Sequence, residues 1–157
     1  MSGTKISKWF ECKIKFEKMM ENGMMKTVTE TYCVEALSFT EAEARIIQFA
    51  GDFISGDMQV VAESIAPYKE IFFGEISGNS TIYYKCKVQF ITVNEKNGHE
   101  KKTNTCYLVA AENIEKARRI IIEDFESTMA NYIISSISET KIMDVFTFVP
   151  LKDNIKA

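Results

Sequence analysis

A chain of 157 residues with 46% apolar and 26% charged side chains fits one domain, or two very small ones, and can bury a core without metal or disulfide support. Two prolines and seven glycines argue against long disordered segments. The net charge of −3 divides into 8 basic and 12 acidic side chains over residues 1–76 and 11 and 10 over residues 77–157, so neither half is a basic domain that grips duplex DNA through phosphates alone.

The first element, about Trp9 to Met19, alternates. Phe10, Cys12, Ile14 and Phe16 share one face, and Trp9, Glu11, Lys13, Lys15 and Glu17 the other, which is the pattern of a half-buried strand. Asn22-Gly23 signals a hairpin turn. The second strand, Thr27 to Ala36, offers Val28, Tyr32 and Val34 as its apolar set. Ser38 with Glu41 makes a capping box, and Thr40 with Glu43 an alternative one. Phe39, Ala42, Ile46, Phe49, Ala50 and Phe53 then form a stripe at helical spacing that Gly56-Asp57 ends. Met58 to Phe73 reads as a strand or strand pair, bent or marked as an edge by Pro67.

The same order then recurs. Trp9-Phe10-Glu11-Cys12-Lys13-Ile14-Lys15-Phe16 is echoed by Tyr83-Tyr84-Lys85-Cys86-Lys87-Val88-Gln89-Phe90. The second hairpin turns at Asn97-Gly98, its second strand runs Thr103 to Ala111, and Asn113 caps a helix striped by Ile114, Ala117, Ile121 and Phe125. Arg119-Ile120-Ile121 echoes Arg45-Ile46-Ile47. The expectation is an α+β fold: a tandem duplication of a β-β-α-β unit packed as one pseudo-two-fold domain, mainly antiparallel, with two helices. The domain is 1–157, made of repeats 9–73 and 83–149 joined by a linker at 74–82, with loose tails at 1–4 and 152–157. The third strand is expected beside the first.

Four cysteines, at 12, 33, 86 and 106, form no close pair, and no apolar run has the length of a signal peptide or membrane span. They read as reduced thiols of a cytoplasmic protein. A two-residue loop at Asn97-Gly98 would set Cys86 opposite Val109. Carrying that register to the first copy sets Cys12 opposite Val34, requires a bulge in the first hairpin, and puts Cys12 and Cys33 on opposite faces. With one histidine, His99, in a turn and no Cys-x-x-Cys spacing, no metal site is expected, and no cofactor. The chain lacks G-x-x-x-x-G-K-[ST], G-x-G-x-x-G and G-x-S-x-G, and its carboxylates sit on solvent faces, so it is read as not an enzyme.

Two constellations remain. Trp9 and Tyr83 hold matching positions, as do Lys13 and Lys87, with Lys15 and Lys85 nearby. Rings beside lysines on a sheet stack single-stranded bases while pairing with phosphates. The bland alternative is an ordinary solvent face, interrupted by Glu11 and Glu17. The second constellation is Met19, Met20, Met24 and Met25 at the first hairpin tip, an adaptable apolar surface for a protein partner or a second copy. The second tip, Glu95 to Lys102, is polar instead. A nucleotide-like ligand held on the pseudo-two-fold is a third possibility, with no residues to name.

Trp9-Phe10-Glu11-Cys12-Lys13, Glu21-Asn22-Gly23-Met24, Ala36-Leu37-Ser38-Phe39-Thr40-Glu41-Ala42-Glu43-Ala44-Arg45, Tyr84-Lys85-Cys86-Lys87 and Ile142-Met143-Asp144-Val145 resemble an uncharacterised small-protein family, a domain of unknown function, of Bacteroidota and their phages and mobile elements. The resemblance runs from about Trp9 to Val149 and carries over no catalytic residues. It implies a cytoplasmic accessory protein in a setting of DNA processing or evasion of host defence. The expectation is therefore a non-enzymatic phage-type binding protein that touches single-stranded nucleic acid or the machinery that handles it. The alternative is an oligomeric module that binds a protein or sequesters a nucleotide ligand.

Overall fold

A computed structural model describes residues 7–74 and 81–148. The expected tails at 1–4 and 152–157, and residues 75–80 of the expected linker, lie outside the described residues. The elements in order are β1 (Lys8–Met19), β2 (Met25–Ala36), α1 (Phe39–Ala50), β3 (Met58–Ile65), β4 (Tyr68–Phe73), β5 (Ile82–Val93), β6 (Glu100–Ala111), α2 (Ile114–Phe125), β7 (Asn131–Glu139) and β8 (Ile142–Phe146). The fold is α+β, with two mostly antiparallel sheets and two helices among the described residues.

The chain forms two compact units. One takes the chain up to Ala66 and again from Lys141; the other is Pro67–Thr140. The first holds the sheet β3-β1-β2-β8 and the second the sheet β4-β6-β5-β7. In each, a long hairpin is flanked by the strand that follows the helix, antiparallel to the hairpin's first strand. The fourth strand pairs in parallel with the hairpin's second strand, β8 with β2 and β4 with β6. Thus β4 follows β3 in sequence but belongs to the second sheet, and β8 follows β7 but belongs to the first. The segment Met58 to Phe73 is a strand pair, as its length suggests, but Pro67 divides strands of different sheets. The last ladder bond before each crossing has the same form: the Ala66 amide donates to the Trp9 carbonyl at 2.8 Å, and the Thr140 amide to the Tyr83 carbonyl at 2.9 Å.

Alternation decides which face is buried. In the first unit Phe10, Cys12, Ile14, Phe16, Tyr32 and Val34 point to one side, where α1 covers them with Ala42, Ile46 and Ala50. In the second, Tyr84, Cys86, Val88, Tyr107 and Val109 meet Ala117, Ile121 and Phe125 of α2. Alanine at two of three contact positions of α1 lets helix and sheet approach closely. Ser38 caps α1 by accepting from the Glu41 amide at 3.1 Å, while the Glu41 carboxylate accepts from the Leu37 amide at 2.9 Å. Asn113 caps α2 by accepting from the Lys116 amide at 2.8 Å. The alternative Thr40 cap is not used.

Three expectations need correction. The hairpins pair Cys12 with Tyr32 and Cys86 with Tyr107, without a bulge in either. The loops are longer than two residues, Met20–Met24 and Asn94–His99, and each register moves by two positions from expectation. Because side chains alternate with period two, the buried face is unchanged, and Cys12 and Cys33 do lie on opposite faces. The bulges sit elsewhere, between β1 and β3 and between β5 and β7. α1 ends at Ala50, so Phe53 belongs to the following turn rather than to the helix stripe. The buried helix positions align Ile46 with Ile121, so Arg45 corresponds to Ile120, not Arg119.

That last shift matters for β8. The Arg45 guanidinium lies 5.3 Å from the Phe49 ring centre and 4.8 Å from that of Phe148. It also donates to the Thr147 carbonyl at 2.7 Å. The Phe148 amide donates to Glu35 at 3.1 Å, and the Ser7 hydroxyl to the same carboxylate at 2.7 Å. Phe146 stacks on Phe49 at 4.4 Å and on Tyr32 at 5.7 Å. Replacing Phe146 with alanine removes both stacks, and Phe146→Ala is expected to destabilise the first unit by about 2–4 kcal/mol. Urea denaturation followed by circular dichroism checks this; an unchanged midpoint would mean that β8 contributes no packing.

Candidate functional site

The first hairpin tip is built by its turn. The Met20 amide donates to the Met24 carbonyl at 2.8 Å, the Gly23 amide to the Met20 carbonyl at 2.9 Å, and the Met24 amide to Asn22 Oδ1 at 3.0 Å. Gly23 takes φ +82°, a conformation that glycine adopts without steric cost. Met19 and Met25 are the last cross-strand pair. The turn holds all four methionines outward: Met19 is 67% exposed, Met24 68%, Met25 53% and Met20 38%.

A groove of about 250 Å³ opens beneath the tip, lined on its apolar side by Phe16, Met19, Met25, Phe53 and Ile54. Its rim is polar. Lys18 pairs with Glu30 at 3.5 Å, and the Tyr32 hydroxyl donates to the same carboxylate at 2.8 Å. Burial, and then that hydrogen bond, raise the Tyr32 phenol above its ordinary range. The groove has a packing origin. Phe125 of α2 meets Tyr107 at 5.4 Å and Tyr132 at 5.1 Å. The matching position of α1 is Ala50, and Phe53 reaches Tyr32 from the turn instead, at 5.7 Å, leaving about half its surface exposed. Phe53 and Ile54 were not singled out from sequence as groove-lining residues. The available signal was Ala50 at the helix position that Phe125 fills in the second unit, with Phe53 three residues beyond it.

The aromatic and basic residues are placed less uniformly. Lys13 and Lys15 are exposed on the helix-free face of β1, opposite Thr31 and Thr29 on one side and Ala62 and Gln59 on the other. Lys87 is exposed, Lys85 half-buried and Trp9 half-buried. Tyr83 is only 6% exposed, so its ring is not a stacking platform on the surface. Toward the Ala36 and Ala111 ends of the hairpins the helix-free face is buried as well, with Cys33, Leu108 and Ala110 fully enclosed. Solvent-facing alternation therefore applies only to the tip-proximal half of each hairpin.

Cys12, Cys33 and Cys86 are fully buried, and Cys106 is half-buried. Burial pushes the Cys12 thiol up to about 12, with Glu63, Glu43 and Glu11 adding to the effect, and the Cys86 thiol up to about 11. Cys33 is raised further, again chiefly by burial. No group of three or more metal-ligating side chains is found among the described residues. No helix there is long and apolar enough to cross a membrane.

A family model for a domain of unknown function, DUF4494, matches residues 8–148. The chain belongs to the DUF4494 family. The DUF4494 match runs from the first residue of β1 to two residues beyond β8, and so includes both sheets and both strands that change sheet. No curated protein and no solved structure matches the chain.

Two predictions follow from the buried titratable groups. At pH 8 the three enclosed cysteines remain thiols, so timed reaction with a disulfide reagent should modify Cys106 fast and the other three only on unfolding; two or more fast thiols would contradict this packing. Glu63 lies opposite Cys12 on β3 with Oε1 buried and without a hydrogen-bond partner. Burial first, then Glu43, raises its carboxyl above the ordinary 4.5. Below that range the carboxyl is neutral in folded and unfolded chain alike. Above it the unfolded chain ionises more readily, and the fold loses stability as pH rises. Glu63→Gln should therefore raise the denaturation midpoint at pH 7 and leave it unchanged at pH 3.

Proposed function

We propose that this protein is a non-enzymatic, protein-binding module whose contact surface is the methionine-rich tip of the β1–β2 hairpin with the groove beneath it. The observation that carries this reading is the exposure of all four tip methionines, two of which, Met19 and Met25, line a groove that also displays Phe53. Methionine is unbranched and polarisable, so such a surface conforms to apolar partners of different shapes. The matching partner is a short segment of another protein that inserts one or two large apolar side chains. The raised thiols of Cys12 and Cys86 are consistent with core residues rather than nucleophiles.

A second reading keeps single-stranded nucleic acid as ligand, favoured by the exposed Lys13 and Lys15 beside Thr29, Thr31 and Gln59. Trp9, Lys85 and Lys87 would contribute less, and Tyr83 not at all while its ring stays enclosed. We also read the units as products of a tandem duplication. The supports are the shared sheet order, the matching bulges, and the paired carbonyls of Trp9 and Tyr83. A cytoplasmic, mobile-element setting fits this reading.

The test uses methyl-labelled methionine and NMR with a panel of short apolar peptides. Shifts confined to Met19, Met20, Met24 and Met25 are expected. Replacing these four with glutamine should weaken binding at least about thirtyfold, a loss of ~2 kcal/mol. Equal binding by that variant, or no peptide that shifts these methyls, sinks the reading. Quenching of Trp9 emission by single-stranded oligonucleotides, weakening with salt and lost in a Lys13→Gln, Lys15→Gln variant, would instead support the second reading.

A further inference from the structure

Among the described residues both sheets end in edge strands, and these differ in how they are protected. β4 carries Lys69 and Glu70, β8 carries Asp144, and β3 carries Glu63 and is followed by Pro67. Charges and prolines of this kind discourage further pairing. β7, Asn-Tyr-Ile-Ile-Ser-Ser-Ile-Ser-Glu, has no lysine, arginine or proline, and its one charge is its last residue. Among the described residues it pairs only with β5. Its protection is a bulge at Ser135, where the hydroxyl donates to the Lys87 carbonyl at 3.1 Å. That leaves Asn131 to Ile134 as a regular, uncharged edge. Met129, two residues before the strand, is 99% exposed, and Ile133 is 48% exposed.

Beside this edge lies an open groove of about 520 Å³ between α2 and β7. It is lined by Arg118 and Ile122 of the helix and by Tyr132, Ile134, Ser136 and Ile137 of the strand. This is where the helix-side residues of an added strand would lie, because an added strand continues the pleat and presents alternate side chains to the same layer.

We propose that β7 is a docking edge for β7 of a second copy of this chain, paired antiparallel about Ile133. The sequence around that point is complementary to itself. With Ile133 opposite its own copy, Tyr132 faces the partner's Ile134 and Ile134 the partner's Tyr132, and the pairing stops short of the bulge at Ser135. Tyr132 and Ile134 lie on the helix side, opposite Phe90 and Val88, so each copy delivers an aromatic and a branched side chain over the partner's groove. The Ile133 pair closes the other face. No charge opposes a like charge in this register, and such apolar cross-strand pairs are the stabilising unit of a sheet. A two-fold arrangement makes one edge both donor and acceptor, which closes the assembly at two chains and satisfies both edges at once. The proposal is independent of the methionine tip.

The experiment measures mass in solution by sedimentation over a wide concentration range, for the wild type, for Ile133→Lys, and for the four-methionine glutamine variant. The wild type is expected to reach twice the chain mass of 17.9 kDa. Ile133→Lys sets two lysines against each other at the two-fold and should weaken the dimer about a hundredfold. Its circular dichroism should stay unchanged, because Ile133 lies on the helix-free, half-exposed face, and its melting should match that of the wild type diluted below the dimer range. The methionine variant should dimerise as the wild type does. As a second readout, Ile133→Cys should give a disulfide-linked dimer under mild oxidation that the wild type does not. A monomeric wild type at all concentrations, an undiminished dimer in Ile133→Lys, or a dimer lost only in the methionine variant would each overturn the proposal.

Discussion

The parallel pairing of β8 with β2 and of β4 with β6 is the constraint on which this structure rests. A hairpin, a helix and one further strand make three strands with a single covered face, which is close to the lower limit for an independent sheet. Here each sheet gains a fourth strand from the segment that follows the other sheet's third strand. Phe72 and Phe146 on those strands reach the aromatic cores around Tyr107 and Tyr32. Neither core is completed by its own contiguous hairpin, helix and third strand. The crossings at Ala66-Pro67 and Thr140-Lys141 are therefore part of the packing and not mere connections.

Much of this was legible in the sequence, for local reasons. Alternation in Trp9 to Phe16, the two Asn-Gly turns and the caps at Ser38 and Asn113 each report on a few neighbouring residues, and each names its element. Register was less legible, because the loops are longer than the Asn-Gly dipeptides they contain; it moved by two and so kept its face. The exchange of β4 and β8 was not legible. Tyr-Lys-Glu-Ile-Phe-Phe announces a strand but not which of two similar hairpins it joins, and that choice depends on contacts remote in sequence. The burial of Tyr83 had a signal in Cys106 to Ala111, an apolar run without alternation, which marks a strand covered on both faces.

The candidate sites divide in the same way. The methionines were evident from position alone, since a hairpin tip has little that could cover it. The groove beneath them was not, because it arises from a difference between Ala50 and Phe125 at one helix position. The lysines of the helix-free face lie where alternation puts them, but the aromatic partners expected beside them are half-buried at Trp9 and enclosed at Tyr83. A face read as uniform along the strand is therefore two surfaces, one open and one covered.

The clamp of Arg45 and Glu35 on the end of β8 also sets an order of assembly. Arg45 binds a carbonyl 102 residues downstream, and Glu35 an amide 113 residues downstream. The unit Pro67–Thr140 is continuous in the chain and has all four of its strands once β7 has been made. The first unit has its hairpin, helix and third strand long before, yet lacks the strand that Arg45, Glu35 and Tyr32 receive. During synthesis the earlier half thus waits with Phe49 and Tyr32 uncovered until β8, which ends seven residues after β7, has been made. That interval, rather than the finished protein, is when the chain is most open to mispairing, because an empty place beside β2 accepts any compatible strand.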